Sequence, residues 1–151
     1  MAWSEDSEVL SDIRAARKAG AHIVIPFMHW GWENRHTPSL RQRMLARRMI
    51  DAGASLVVGG HPHVIQDAEL YRGKLIVYSL GNFVFDGFTR PENNTGWILR
   101  LDVDRHGPLT WRIDVVRIDA KGIPHPTGKP GACWRAGMSA AAPCGENTPT
   151  H

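Results

Sequence analysis

The sequence predicts an α/β fold in which one βαβ unit precedes two antiparallel hairpins. Two short apolar runs, at 22–27 and 55–58, are separated by an amphipathic segment. This order is typical of two buried parallel strands joined by a crossover helix. Further along, apolar and polar residues alternate in 97–103 and 109–118, as they do in strands with one solvated face. The sequence therefore predicts helices, parallel strands and antiparallel strands together.

Two helices are predicted, one on each side of the first apolar run. The first begins at the N-cap Ser4, has acidic residues in its first turn and ends at Gly20. The second begins at the N-cap Thr37, with Pro38 at its first position, and ends at Gly53. Both carry apolar side chains at helical spacing.

Two hairpins are predicted after the βαβ unit. The first joins residues 64–70 to residues 75–78 through a turn at Arg72-Gly73. The second joins the two alternating segments through a turn at 105–108, which contains glycine and proline.

The length of 151 residues suits one domain. The patterned part spans 1–120, whereas 121–151 is rich in Gly, Pro and Ala and has few large apolar side chains. Such a tail buries little surface, so we expect it to be poorly ordered. Cys133 and Cys144 both lie in it. Free thiols are expected there, although the two residues could pair in an oxidising compartment.

The charge and hydropathy of the chain exclude several partners. A formal net charge of +3 is too weak to indicate nucleic acid. No segment approaches the ~20 consecutive apolar residues of a membrane span, and the N-terminus lacks the pattern of a signal peptide. One helix is nonetheless strongly basic, which fits either attraction of a polyanion or a solvated helix face. Its arginines are Arg41, Arg43, Arg47 and Arg48.

Histidines provide the candidate chemistry. In Gly60-His61-Pro62-His63 the proline favours extended dihedrals at His61, and residues i and i+2 of an extended chain point the same way. His29 follows the first predicted strand as His61 follows the second, and the carboxyl ends of parallel strands share one rim. Three converging imidazoles predict a metal site. The alternative is that His29 stacks on a neighbouring tryptophan and the other two accept hydrogen bonds within the turn.

The remaining histidines are expected to lie outside this site. They are His22, His36, His106, His125 and His151.

Three motifs in this order resemble the capsule-synthesis CapA family of the calcineurin-like metallophosphoesterase superfamily. They are His29-Trp30-Gly31-x-Glu33, Gly59-x-His61-Pro62-His63-Val64-x-Gln66 and Tyr78-Ser79-Leu80-Gly81-Asn82-Phe83-Val84-Phe85. The resemblance implies two packed β-sheets flanked by helices. It also implies a role in poly-γ-glutamate synthesis or export at the bacterial cell envelope, outside the cytoplasm.

The resemblance also implies site residues. His29 matches the family's single-histidine metal ligand, and His61 and His63 match the ligands of its G-H-x-H motif. Glu33 and Asn82 match motif positions and are expected to support the ligands. The implied cofactor is a divalent metal (Mn, Fe or Zn), in a binuclear site in the intact domain. Gly60 stands where many family members carry a further histidine.

The superfamily's other ligand motifs, an Asp motif, a Gly-Asp motif and an Asn-His pair, do not occur before His29. We therefore expect residues 1–120 to be the C-terminal part of such a domain, with any membrane anchor lying upstream. The expected function is capsule synthesis or export, with an anionic polymer and the capsule machinery as partners. The alternatives are a metal-dependent phosphatase or phosphodiesterase acting on a phosphoester, and an inactive fragment.

Overall fold

The computed structural model of the protein describes residues 6–128, 131–135 and 142–143. The helices are α1 (Asp6–Lys18) and α2 (Leu40–Asp51). The strands are β1 (Phe27–His29), β2 (Val57–Gly60), β3 (Ala68–Tyr71), β4 (Lys74–Val77), β5 (Thr95–Asp104), β6 (Gly107–Ile118), β7 (Pro124–Pro126), β8 (Ala132–Arg135) and β9 (Ala142–Pro143). Neither helix has the length and apolar character needed to cross a membrane.

The first sheet has the strand order β1-β2-β4-β3. β1 and β4 each lie parallel to β2, whereas β3 is antiparallel to β4. Because α2 connects β1 to β2, the predicted βαβ unit is confirmed. The mixed α/β fold with antiparallel hairpins is confirmed as well.

The second sheet has the order β5-β6-β8-β9, and β7 also pairs with β6. The long β5–β6 hairpin forms most of it, as the alternating pattern predicted. A bridge between Gly81 and Gly96 connects the loop after β4 to β5, so the two sheets meet there.

The two central strands of the first sheet, β2 and β4, are buried on both faces. On one face, Val57 and Ile76 belong to a buried cluster with residues of both helices, including Met49. On the other face, buried residues pack with residues of β6. The members of this second cluster are Leu56, Val58, Leu75, Val77, Trp111 and Ile113. The fold therefore has three layers, which are helices, first sheet and second sheet.

The first strand differs from its predicted bounds. The apolar run 22–27 was expected to form it, but β1 begins only at Phe27. Pro26 has no N–H to donate to a ladder. The carbonyls of Val24 and Pro26 still accept hydrogen bonds from Ser55 N (2.7 Å) and Val58 N (3.0 Å). The run therefore lies beside the start of β2 and is hydrogen-bonded to it, but it does not form a regular strand.

The N-cap of α2 also differs from the prediction. Ser39 caps the helix instead of Thr37, because Ser39 and Gln42 form a reciprocal capping box. The Ser39 hydroxyl accepts from Gln42 N, and the Gln42 side chain accepts from Ser39 N at 2.9 Å. The predicted cap of α1, Ser4, lies outside the described residues.

The first hairpin has the predicted two-residue turn. Arg72 and Gly73 have φ of 52° and 71°, the positive values that a type I′ turn requires at both positions. The second predicted hairpin corresponds to β5 and β6, and it turns at Arg105-His106.

Part of the 121–151 segment forms strands, although its composition predicted poor order. β7 and β8 pair with β6, and backbone pairing of this kind does not require large apolar side chains. Cys133 is buried and disulfide-bonded, so the expectation of a free thiol is wrong for this residue. Cys144 lies outside the described residues.

The arginines of α2 pair with carboxylates of neighbouring elements. Arg41 and Arg48 contact Asp6 of α1, at 3.1 and 3.6 Å. Arg47 contacts Glu69 of β3 at 2.9 Å, and Arg43 contacts Asp67 just before β3 at 3.0 Å. These ion pairs connect α2 to its neighbours, which favours the structural interpretation of the basic helix over a free polyanion surface.

Candidate metal centre

The three predicted histidines lie on one rim of the first sheet. β1 ends at His29 and β2 ends at Gly60, and these two residues are paired in register. His61 follows directly. The ring centroids of His29 and His61 are 4.4 Å apart, and those of His61 and His63 are 6.0 Å apart. The parallel geometry therefore brings the imidazoles together, as the sequence predicted.

The most compact group of potential ligands differs from the predicted trio. Within the described part of the chain, ligand atoms of Glu33, His61 and His63 all lie within 4.8 Å of one another. Glu33 was expected to support the metal ligands, but its carboxylate belongs to this group of potential ligands. His29 was expected to be a ligand, but it lies outside this group, with its ring against His61.

Backbone hydrogen bonds hold the loop of Glu33 against the histidine turn. Trp30 N donates to Gly60 O at 3.2 Å, and Asn34 N donates to Pro62 O at 2.8 Å. These two bonds flank Glu33 in sequence, so they place its carboxylate beside the imidazoles.

The backbone of the turn is strained. His61 has φ 96° and His63 has φ 58°, so the prediction of an extended His61 is wrong. Residues with side chains rarely adopt positive φ, and such conformations persist where surrounding contacts enforce them. The contacts here include Pro62, which is fully buried. Asn34 across the site also has positive φ, 59°.

The hydrogen bond to Asn82 selects the tautomer of neutral His63. His63 Nδ1 lies 2.8 Å from Asn82 Oδ1. The amide orientation of Asn82 follows from its other end, where Nδ2 donates to Asn93 O at 2.9 Å. Since Asn82 Oδ1 can only accept, His63 Nδ1 carries the hydrogen and Nε2 keeps a free lone pair. A partner of this kind orients a metal-binding imidazole.

Asn93 connects the site further, and sequence reasoning missed it. Its side chain is fully buried, and Nδ2 donates to His63 O at 2.8 Å and to Asn34 Oδ1 at 2.9 Å. Asn34 was missed as well. Neither belongs to a recognisable motif, so only the three-dimensional contacts reveal them.

Gln66, the last residue of the histidine motif, connects the site to α2. It is buried, and its Nε2 donates to Arg35 O at 2.6 Å. Its Oε1 accepts from Gln42 Nε2 at 3.0 Å. The same Gln42 side chain caps α2, so the helix start and the loop between β1 and α2 are held by one buried amide pair.

The environment of His61 favours its neutral form. Burial lowers the pKa of His61, and the nearby His29 lowers it further, while Glu33 opposes the shift. A neutral imidazole is the form that binds a metal. Phe85 and Phe88 lie with ring centroids 5.2 and 5.3 Å from that of His63, which makes one wall of the site apolar.

Gly59 allows β2 to pack closely against the carbonyl of Tyr78 and the indole of Trp30. Trp30 Nε1 donates to Tyr78 O at 2.9 Å. A Cβ on Gly59 would lie 2.1 Å from that carbonyl oxygen and 2.4 Å from Trp30 Nε1. The glycine is therefore needed for steric reasons, one residue before the turn begins.

Two imidazoles and one carboxylate fit one divalent transition metal. Zn²⁺ and Fe²⁺ sites with two histidines and one carboxylate are common, and three protein ligands leave positions open for another group. A binuclear site requires more ligands than this group supplies. The remaining described histidines, His22, His36, His106 and His125, are exposed and outside the group; His151 lies outside the described residues.

Comparisons with known proteins agree with the motif resemblance. The chain is 42% identical over 126 residues to the PGA biosynthesis protein CapA of Bacillus subtilis, an alignment that covers 82% of this chain and 32% of that protein. It is 40% identical over 119 residues to the capsule biosynthesis protein CapA of Bacillus anthracis, covering 78% and 28% of the two chains.

A third relative is a probable polyglutamine synthesis accessory protein of Mycobacterium tuberculosis, 37% identical over 82 residues, which are 52% of this chain and 22% of that protein. This chain thus spans about a third or less of the length of these relatives. The family model described as "bacterial capsule synthesis protein PGA_cap" matches residues 1–87, which include all five predicted site residues. The chain therefore belongs to the PGA_cap family of bacterial capsule synthesis proteins.

Proposed function

We propose that the chain takes part in the synthesis or export of a poly-γ-glutamate capsule and that His61, His63 and Glu33 hold one divalent metal there. The observation that carries the metal proposal is the compact ligand group, whose atoms lie within 4.8 Å of one another. The polymer proposal rests on the relatives, which are named for PGA or capsule biosynthesis.

The chemistry of the site is compatible with an anionic polymer. A metal held by three protein ligands has open positions, and carboxylate oxygens are ordinary ligands of Mn²⁺, Fe²⁺ and Zn²⁺. His29, whose ring centroid lies 4.4 Å from that of the ligand His61, adds a further polar side chain beside the metal position. The partners proposed are therefore the carboxylates of poly-γ-glutamate and the capsule-synthesis machinery.

A chimeric protein tests this function. Residues of the Bacillus subtilis CapA relative that align with this chain are replaced by this chain's residues, and secreted poly-γ-glutamate is measured in cells lacking the original gene. We expect polymer production with the chimera, and its loss when the chimera carries His61→Ala and His63→Ala. The matched control carries His22→Ala and His36→Ala, which remove two exposed imidazoles outside the ligand group.

Two results would contradict the proposal. A folded chimera that supports no polymer production would contradict the capsule role of this chain. Equal production by the chimera and its His61→Ala, His63→Ala form would contradict the role of the metal ligands.

A further inference from the structure

A cavity of about 260 Å³ lies at the end of the first sheet opposite to the histidines. Ser55, which precedes β2, and Lys74, the first residue of β4, line it. Arg17 of α1 and the start of β6 close it, with Trp111 among the lining residues. The cavity is therefore separate from the candidate metal centre, which follows the carboxyl ends of β1 and β2.

The lining of this cavity is cationic. Arg17, Arg72, Lys74 and His106 line it, and no acidic residue does. Arg72 pairs with Asp51 at 2.9 Å. In the part of the chain that the structure describes, neither Arg17 nor Lys74 forms an ion pair. Two positive charges thus face one partly enclosed space without a compensating carboxylate.

Arg17 is fixed in place by neutral acceptors. Its Nε donates to Gly53 O at 2.7 Å, and one terminal nitrogen donates to the carbonyls of Ala21 and His22. The other terminal nitrogen donates to Ser55 Oγ at 2.8 Å. A guanidinium group has five N–H donors, so these four bonds leave one donor and the full charge uncompensated.

Lys74 and Trp111 supply further donors. Lys74 Nζ donates to Ala54 O at 2.9 Å, which leaves two of the three ammonium hydrogens. Trp111 is buried, and its Nε1–H has no acceptor among the described residues. Together with the remaining N–H of Arg17, this makes four donors. A carboxylate offers about four acceptor positions on its two oxygens.

The electrostatics of Lys74 agree with this arrangement. Burial lowers the pKa of Lys74, and the positive charge of Arg17 lowers it further. An anion between these two side chains would relieve the repulsion, because opposite charges attract most strongly where water is partly excluded.

We propose that this cavity is a binding site for a small carboxylate, held by Lys74 and Arg17 with a further hydrogen bond from Trp111. The match between four donors and the acceptor positions of a carboxylate favours this group over a phosphate, which has more oxygens to satisfy. The site goes beyond the proposed function and does not depend on the metal.

Nuclear magnetic resonance of the full chain with ¹³C-labelled lysine tests the proposal. Sodium glutarate is titrated at constant ionic strength in the presence of a chelator, and the Cε resonance of Lys74 is followed. We expect a saturable shift of this resonance, whereas that of the exposed Lys121, outside the cavity, stays unchanged. Calorimetric titration with glutarate compares the variants, because Lys74→Gln removes the resonance itself. Lys74→Gln is expected to weaken binding about tenfold, the effect of one charge-assisted hydrogen bond, and Lys121→Gln is expected to leave it unchanged.

Lys74→Gln also removes the hydrogen bond from Lys74 to Ala54 O, which contributes to folding. A second variant that keeps this bond therefore tests binding separately. Arg72→Gln removes an exposed cavity charge and is expected to weaken binding about threefold, a smaller effect because Arg72 is already paired. A linear, unsaturable shift of Lys74 in the wild type, or equal affinities of Lys74→Gln and Lys121→Gln, would overturn the site. Tighter binding of inorganic phosphate than of glutarate would overturn its assignment to a carboxylate.

Discussion

His63 donates its Nδ1–H to Asn82 Oδ1 across 2.8 Å, and Asn82 is itself held by the backbone carbonyl of Asn93. This chain of contacts joins the turn after β2, the loop after β4 and the segment before β5. The ring of His63 is therefore oriented by the protein before any ligand arrives. An orienting partner of this kind is what a metal-binding imidazole requires.

The first prediction concerns Asn82. Asn82→Leu should weaken Zn²⁺ affinity about 10- to 100-fold, because the His63 ring loses its orienting acceptor. Asn82→Asp keeps an acceptor at the same place and should bind Zn²⁺ within about threefold of the wild type or more tightly. Calorimetric titration measures both, and circular dichroism checks that both variants are folded. Wild-type affinity in a folded Asn82→Leu variant would show that Asn82 does not act through His63.

The second prediction compares two adjacent glycines of β2. Gly59→Ala should lower the free energy of unfolding by about 2 kcal/mol or more, since its Cβ would lie 2.1 Å from Tyr78 O. Gly60→Ala is the matched control, because the nearest atom to its Cβ is Phe27 Cε1 at 3.9 Å. It should cost less than about 1 kcal/mol. Urea denaturation provides both values, and similar losses for the two variants would contradict the steric explanation.

The fold was predictable wherever local pattern and tertiary packing agree. The parallel strands were predictable because apolar runs of that length are buried on both faces, as Val57 and Val58 are. The hairpin turn at Arg72-Gly73 was predictable from turn chemistry. The start of β1 at Phe27 was not predictable, because the effect of the missing N–H of Pro26 depends on which strand lies beside it. The N-cap Ser39 was missed because its capping box with Gln42 makes the helix begin two residues after the predicted cap, Thr37.

The candidate site was predictable in location but not in detail. The rim position of His29 and His61 follows from strand order alone. The proximity of Glu33 to the imidazoles depends on backbone hydrogen bonds between two loops that are distant in sequence. His61 has a positive φ although the following Pro62 favours an extended conformation, so the local preference did not predict its backbone. Contacts between loops leave no periodic signal in a sequence, so Asn93 could not have been found.

The third prediction concerns the pH dependence of stability. A hydrogen bond from Arg47 lowers the pKa of Glu69, and a bond from Tyr78 and the charges of Arg47 and Arg43 add to this, while burial opposes it. A carboxyl group whose pKa is lowered on folding stabilises the protein above its unfolded pKa. That contribution is lost as the pH falls through the folded pKa. The lost stabilisation should therefore appear below about pH 4.5, the ordinary value.

Glu69→Gln tests this explanation. At pH 7 it should lower the free energy of unfolding by about 1–2 kcal/mol, and it should reduce the loss of stability on acidification. Glu92→Gln is the control, because Glu92 lies 3.7 Å from Arg90 in an exposed pair that should contribute little. Urea denaturation between pH 7 and about pH 3 measures the effect. Parallel pH profiles of Glu69→Gln and the wild type would contradict the role of Glu69.

The fourth prediction concerns hydrolysis. Two-metal phosphoester hydrolysis uses ions about 3.5–4 Å apart, and the three-residue ligand group supplies too few donors for two ions. We therefore expect the purified chain with Mn²⁺ to hydrolyse p-nitrophenyl phosphate no more than about tenfold faster than Mn²⁺ alone. Rapid turnover that His61→Ala abolishes would establish the phosphatase alternative instead.

The fifth prediction concerns the proposed binding of one divalent metal by His61, His63 and Glu33. Metal affinity should fall as the pH decreases, because protonated imidazoles do not bind metals. For His61, whose pKa is lowered, this loss is displaced below the ordinary value of 6.5.

Calorimetric titration of the 151-residue chain with Zn²⁺ at about pH 7.5, above the ordinary pKa of imidazole, is the direct test of this metal site. The wild type and the His22→Ala, His36→Ala control should bind one ion with equal affinity, and His61→Ala, His63→Ala should bind at least about 100-fold more weakly. Identical heats for the wild type and the His61→Ala, His63→Ala variant would show that the histidine turn is not a metal site in this chain.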